Sequence, residues 1–232
     1  MNRLWKKVIL AAVLVLLAAL GLNALFGNPV SKHLARQGAG AYLEEAYPGR
    51  DFVLEQVRYD SKTGQYEALV QSPSSVDTHF SLWLNKLGKV QADFYESSVS
   101  SGWNTCGRIS DGYRALAQPV LDGLNLTYSL VYILGQLEIT DQPGGPEYAL
   151  DAAQFQLDGE YDVRELGRQA GIVSVQAKVP QADRETGLAL ASAVKQAMED
   201  ADLPFYGVEV SLRPESGGEI LDLGLIPYAD IP

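Results

Sequence analysis

The spacing of hydrophobic and polar positions changes several times along the chain. From Val8 to Phe26 there is no alternation: VILAAVLVLLAALGLNALF contains no charge. As a helix rising about 1.5 Å per residue, this run reaches roughly 28 Å, the thickness of a bilayer's hydrocarbon core. From Pro29 the spacing becomes helical. Ala35, Ala39, Tyr42, Leu43 and Ala46 share one face, Glu44 and Glu45 lie off it, and Pro48-Gly49 ends the helix near Tyr47. Pro29 suits a first helical position, where a missing N–H has no partner to lose. A period of two follows in Phe52 and Leu54, then Tyr66, Ala68 and Val70, then Phe80, Leu82 and Leu84, then Val90, Ala92 and Phe94. Ser61 to Gly64 and Leu87-Gly88 supply turns. A helix laid across a four-stranded antiparallel meander is predicted. Residues 104–124 read as a further helix, weakened by Gly107, Gly112 and Pro119, and the first domain is expected to span 28–124.

A second domain is expected over 125–232. TYSLVYILGQLEI, Thr127 to Ile139, reads as a fully buried strand with a bulge at Gly135. Asp162 and Glu165 stand at capping-box spacing ahead of a short helix that ends near Gly171. Val173, Val175, Ala177 and Val179 then alternate with polar residues in a strand with one wet face. Asp183 caps a longer helix with the stripe Leu190, Val194, Ala197, Met198 and Ala201. Val208, Val210 and Leu212, then Ile220 to Ile226, form closing strands. This order predicts an α/β sandwich, helices covering a mixed sheet.

Charge orients the apolar run. Arg3, Lys6 and Lys7 precede it and no basic cluster follows at once, so the positive-inside rule places tail 1–7 in the cytoplasm. Residues 8–26 are then a single-pass signal anchor in the cell membrane, and the remainder is extracytoplasmic. Ala19-Leu20-Gly21 supports the competing reading of a cleaved signal peptide. No Cys follows the run closely, so a lipid-modified N-terminus is not expected.

Those three cations belong to a formal net charge of −11, which leaves −14 on the rest. Such a surface repels nucleic acid, whose binding depends on Lys and Arg along the phosphates, and it favours distance from an anionic membrane. The one cysteine, Cys106, excludes an intramolecular disulfide and a Cys-rich zinc site. His33, His79 and Cys106 are too few and scattered for a zinc centre, and no D-x-D-x-D-G run offers a calcium loop. No metal or other cofactor is expected.

Four stretches together resemble the YfjL-like proteins, a bacterial group of membrane-anchored proteins: GNPVSKHLA from Gly27, YLEEAYPGRDF from Tyr42, SPSSVDTHF from Ser72 and LPFYGVEVSLRPE from Leu203. The resemblance implies a signal-anchored extracytoplasmic protein with an N-terminal helix-plus-meander domain, and it carries over no catalytic residues. The predicted architecture is α+β throughout: a transmembrane helix, a PepSY/cystatin-like first domain and the sandwich. Architecture of that kind does not by itself specify function.

Local chemistry concentrates in two places. In Ser72 to His79, Asp77 and His79 share one face of a strand, the spacing at which a carboxylate orients an imidazole, and Ser74 or Ser75 offers a nucleophile. The plainer reading makes Ser-Pro-Ser-Ser turn chemistry satisfied by Asp77, with His79 an exposed strand residue. Trp103, Asn104 and Arg108 form the second cluster, because Trp and Arg are favoured at interface hot spots; interdomain packing accounts for them equally well. Ser72, Asp77, His79, Trp103, Asn104 and Arg108 are therefore the candidate contact residues. Glu199, Asp200 and Asp202 crowd a helix end where negative charge opposes the helix dipole, and a solvated acidic end explains them. The expected function is a non-enzymatic extracytoplasmic module that binds an envelope protein or component. The alternatives are an envelope hydrolase and an acidic cation-responsive sensor.

Overall fold

The computed structural model describes residues 9–14 and 27–232. Apart from 9–14, which are helical, the apolar run 8–26 lies outside the described residues. Among the described residues no helix is long and apolar enough to cross a membrane. The fold is α+β, and the chain divides into two compact units, 1–104 and 105–232.

The first unit is built from α1 (Pro29–Ala46) and the strands β1 (Val53–Asp60), β2 (Gln65–Ser72), β3 (Ser75–Leu84) and β4 (Val90–Asp93). The strands form one sheet in sequence order, antiparallel throughout. α1 starts where Asn28 Oδ1 accepts the Val30 N–H at 2.8 Å and Pro29 takes the first turn. The Tyr66 hydroxyl accepts the Asn28 N–H at 2.9 Å and donates to the Asn28 carbonyl at 3.0 Å, so the helix origin is tied to the second residue of β2. α1 buries Ala35, Ala39 and Leu43 against Val57, Tyr66, Ala68, Val70, Phe80, Leu82 and Leu84. Its small face lets backbone meet backbone. A Cβ on Gly38 would lie 1.8 Å from the Gly88 carbonyl oxygen, and one on Gly88, where φ is +80°, would lie 2.3 Å from the Leu34 carbonyl oxygen.

The second unit holds most of α2 (Trp103–Asp122), with β5 (Ser129–Leu137), β6 (Ile139–Thr140), β7 (Leu150–Asp151), α3 (Val163–Ala170), β8 (Gly171–Val179), α4 (Arg184–Asp200), β9 (Gly207–Pro214) and β10 (Leu221–Pro227). The main sheet has the order β10-β9-β8-β5, with β8 and β9 parallel across the α4 crossover and the outer pairs antiparallel. Asp162 and Asp183 cap α3 and α4 as the spacing predicts.

Three sequence expectations change. The chain parts at Asn104 and not near 124. The α2 stripe Ile109, Tyr113, Ala117 and Leu121 joins the second core, and that burial carries the helix through Pro119. β5 is an edge strand, largely exposed until Gly135, where a fully buried strand is predicted. Its bulge falls at Val131. Gly135 instead marks a close approach, since a Cβ there would meet Ala117 Cβ at 2.6 Å.

Gly38 and Gly40 both lie in α1 but face different surroundings, since nothing stands within 4 Å of a Cβ at Gly40. Gly38→Ala should lower stability by about 3 kcal/mol through overpacking, whereas Gly40→Ala should raise it by about 0.5 to 1 kcal/mol through helix propensity. Urea unfolding of the two variants checks the contrast.

Candidate functional site

On the sheet face opposite α1, odd-numbered positions of β2, and of β3 from His79 onward, point away from the core. Glu67 and Leu69 stand beside His79, Ser81 and Trp83, and Phe94 follows β4. With Glu55, Ser98 and Asn104 they line a cleft of about 380 Å³. Trp83 is 37% exposed, and its ring rests against Phe94 with centroids 5.2 Å apart. Three strands set the polar wall by register: Arg58 pairs with Glu67, and Glu67 with Trp83. Glu67 Oε2 accepts from Arg58 Nε at 2.5 Å, and Oε1 accepts from the Ser81 hydroxyl at 2.8 Å. Burial pushes the Glu67 carboxyl up, but Arg58 and Ser81 together hold it below the usual glutamate range. The carboxylate therefore stays ionised with its geometry fixed before anything binds.

Asn104 joins two strand carbonyls on one amide: Nδ2 donates to the Asp77 carbonyl at 2.9 Å and to the His79 carbonyl at 2.6 Å. Asn104, Asp77 and His79 are thus brought together, with His79 exposed and Asp77 fully buried. At the Ser-Pro-Ser-Ser turn the Asp51 carboxylate accepts the Ser72 hydroxyl at 2.6 Å and the Ser74 N–H at 3.2 Å. Ser72 Oγ also lies 3.0 Å from Ser74 Oγ. Trp103 is 74% exposed and does not line the cleft. Arg108 belongs to the second unit, where its guanidinium donates to the Gly159 carbonyl at 2.8 Å.

Trp83, Phe94, Glu67 and Arg58 were not among the sequence candidates. One signal for Trp83 was available: a large aromatic at the polar phase of a strand whose core phase is Phe80, Leu82 and Leu84. The cross-strand grip on Glu67 had no such signal, because it depends on register.

Across the sheet, Asp93 Oδ2 accepts both the Tyr42 and Tyr47 hydroxyls, at 2.9 and 2.7 Å, beside the rings of Phe52, Phe80 and Tyr95. Burial and this carboxylate push the Tyr47 phenol well above its ordinary range. In the second unit a hollow of about 610 Å³ lies along Leu203 to Tyr206 and Tyr228, with Arg168 and Glu199 at its rim. There the Tyr228 hydroxyl donates to the Glu199 carboxylate. Among the described residues no group of three or more His, Cys, Asp or Glu is placed to hold a metal ion.

Glu67 makes the cleft acid-sensitive with a definite sign. Its folded pKa lies below the unfolded value near 4.5, so its contribution is complete above that pH and is lost as pH falls through the depressed value. Glu67→Gln should flatten the loss of stability between about pH 5 and pH 3 relative to the parent chain, read from urea midpoints at each pH.

Residues 2–94 match the family model described as YfjL-like, N-terminal domain. No curated protein and no solved structure matches the chain.

Proposed function

We propose that this chain, a member of the YfjL-like family, is a membrane-anchored extracytoplasmic binding module whose first-unit cleft takes an envelope protein or envelope component. The observation that carries this reading is a partly exposed Trp83, braced by Phe94, beside a carboxylate already fixed by Arg58 and Ser81. Tryptophan dominates contact energies where a pocket excludes water, and a side chain ordered beforehand loses little further freedom on binding. Glu55 and Glu67 in the lining, on a body of charge −14, favour a basic segment of the partner, which can also lie over the Trp83 face.

The anchor is part of the same proposal. It is supported by the uncharged run Val8 to Phe26 and the preceding Arg3, Lys6 and Lys7, which put the N-terminus in the cytoplasm. The helix on a four-stranded meander is in keeping with a PepSY/cystatin-like first domain, a likeness of architecture that assigns no chemistry. The hydrolase reading draws less support: of the two hydroxyls it offers as nucleophile, Ser75 Oγ donates to Thr78 Oγ1 at 2.6 Å and Ser74 Oγ lies 3.0 Å from Ser72 Oγ, within a turn that Asp51 holds.

Cross-linking of the tagged full-length chain in its native membrane, with a truncation ending at Asn28 as control, should recover a reproducible envelope partner by mass spectrometry. Trp83→Ala should lower that recovery about tenfold or more, as expected for a central aromatic, and Trp103→Ala should not. Recovery that survives Trp83→Ala and falls with Trp103→Ala moves the contact surface elsewhere. Absence of any partner beyond the control removes the binding-module reading.

A further inference from the structure

We infer that the end of the first unit from which α1 begins is a lipid-contacting surface that recognises anionic phospholipid headgroups; the inference rests on reading residues 8–26 as the anchor. An antiparallel meander places the β1–β2 and β3–β4 turns at one end of the sheet and the β2–β3 turn at the other. The bonds between Asn28 and Tyr66, and the packing of Gly88 on the Leu34 carbonyl, put the origin of α1 at the end with the first two turns. The apolar run finishes in sequence at Phe26, immediately before this point.

Charge within the unit is sorted along the same direction. Lys32, Lys62, Lys86 and Lys89 are exposed at the α1 origin and on the two turns, with Arg36 further along the helix. Two acids stand at that end and the cations outnumber them: Asp60 accepts from the Lys62 N–H and the Thr63 hydroxyl of its own turn and keeps its charge, and Glu67 pairs with Arg58. Glu44, Glu45 and Asp51, with Arg50, lie toward the opposite end, at the α1 terminus and the β2–β3 turn. Asp93 pairs with Leu82 nearer the β3–β4 turn and is held by the Tyr42 and Tyr47 hydroxyls. A body of charge −14 thus presents cations where the chain leaves the proposed anchor. Screening over a Debye length of about 10 Å at 0.1 M salt makes the nearest charges decisive for an adjacent surface, and distant carboxylates weigh little.

The apolar part of the surface is held rigidly outward. Leu87, 79% exposed, tips a turn locked on Asn85, whose Oδ1 accepts the Leu87 N–H at 2.9 Å and the Lys89 N–H at 3.0 Å. The backbone closes the same turn, Asn85 N–H to the Lys89 carbonyl at 3.0 Å and Gly88 N–H to the Asn85 carbonyl at 3.0 Å. Val30, 66% exposed, stands on the first turn of α1. An apolar tip flanked by lysines suits the boundary between headgroups and acyl chains: the leucine enters the apolar side while the ammonium groups meet phosphate.

The test reconstitutes the full-length chain in vesicles of phosphatidylcholine alone and of phosphatidylcholine with phosphatidylglycerol. Hydrogen exchange is followed at residues 61–64 and 85–89, and retention is scored after an alkaline wash. Exchange at 85–89 should slow several-fold in the anionic vesicles only, and the difference should vanish in the triple variant Lys62→Gln, Lys86→Gln, Lys89→Gln. Retention with equal exchange in both lipids overturns the lipid surface and leaves the anchor standing. Release at the wash with lipid-dependent slowing intact removes the anchor and keeps the surface. Release with equal exchange overturns both.

Discussion

Direct contact between the backbones of α1 and the β3–β4 turn is the constraint on which the first unit depends. With no side chain at Gly38 or Gly88, the helix settles onto the meander at a distance no other pair of residues allows. Ala35 and Ala39 continue that small face, so the helix buries little bulk of its own and the strands supply the large residues beneath it. Everything else in the unit is placed relative to this seating. The α1 origin falls within reach of the Tyr66 hydroxyl, the far end brings Tyr42 and Tyr47 to Asp93, and the β3–β4 turn is pinned with its apolar tip outward.

One face of the sheet being committed to α1, the other is available for polar and aromatic residues that serve no core. The same two-residue alternation that sends Phe80, Leu82 and Leu84 inward sends His79, Ser81 and Trp83 outward. The cleft follows from the fold at little structural cost: Arg58, Glu67 and Trp83 become neighbours across three strands because their pairing register aligns them. The two ends of the sheet differ in the same economical way. Lysines occupy the turns beside the α1 origin and carboxylates crowd the opposite end, so the acidic composition of the whole chain conceals a polarised first unit. A net charge sums over a molecule, whereas a membrane or a partner responds to the charges within a screening length.

Much of this architecture was legible beforehand, for identifiable reasons. The helical stripe from Ala35 to Ala46, the alternation in each strand and the capping residues Asp162 and Asp183 are local signals, produced by neighbours within a turn or a hairpin. The misreadings concern partners distant in sequence. Residues 104–124 carry a helical pattern whichever core they serve, so their pattern could not say that Ile109, Tyr113, Ala117 and Leu121 pack with the second unit. Thr127 to Ile139 is apolar enough for a central strand, yet it pairs on one side only, as an edge. The Ser-Pro-Ser-Ser turn also takes Asp51, 21 residues before Ser72, a partner that no local spacing indicates.

The sequence by itself determined the elements, the uncharged run 8–26 with its basic flank, the acidity of the body and the absence of a disulfide, because these depend only on composition and on residues a few positions apart. Tertiary structure alone decided where the chain divides, which candidate residues meet, the grip of Arg58 and Ser81 on Glu67, and the sorting of charge between the two ends of the first sheet. These depend on strand register and helix seating. Register shifted by one residue exchanges the two faces of a strand while leaving every local pattern intact, so no local pattern can specify them.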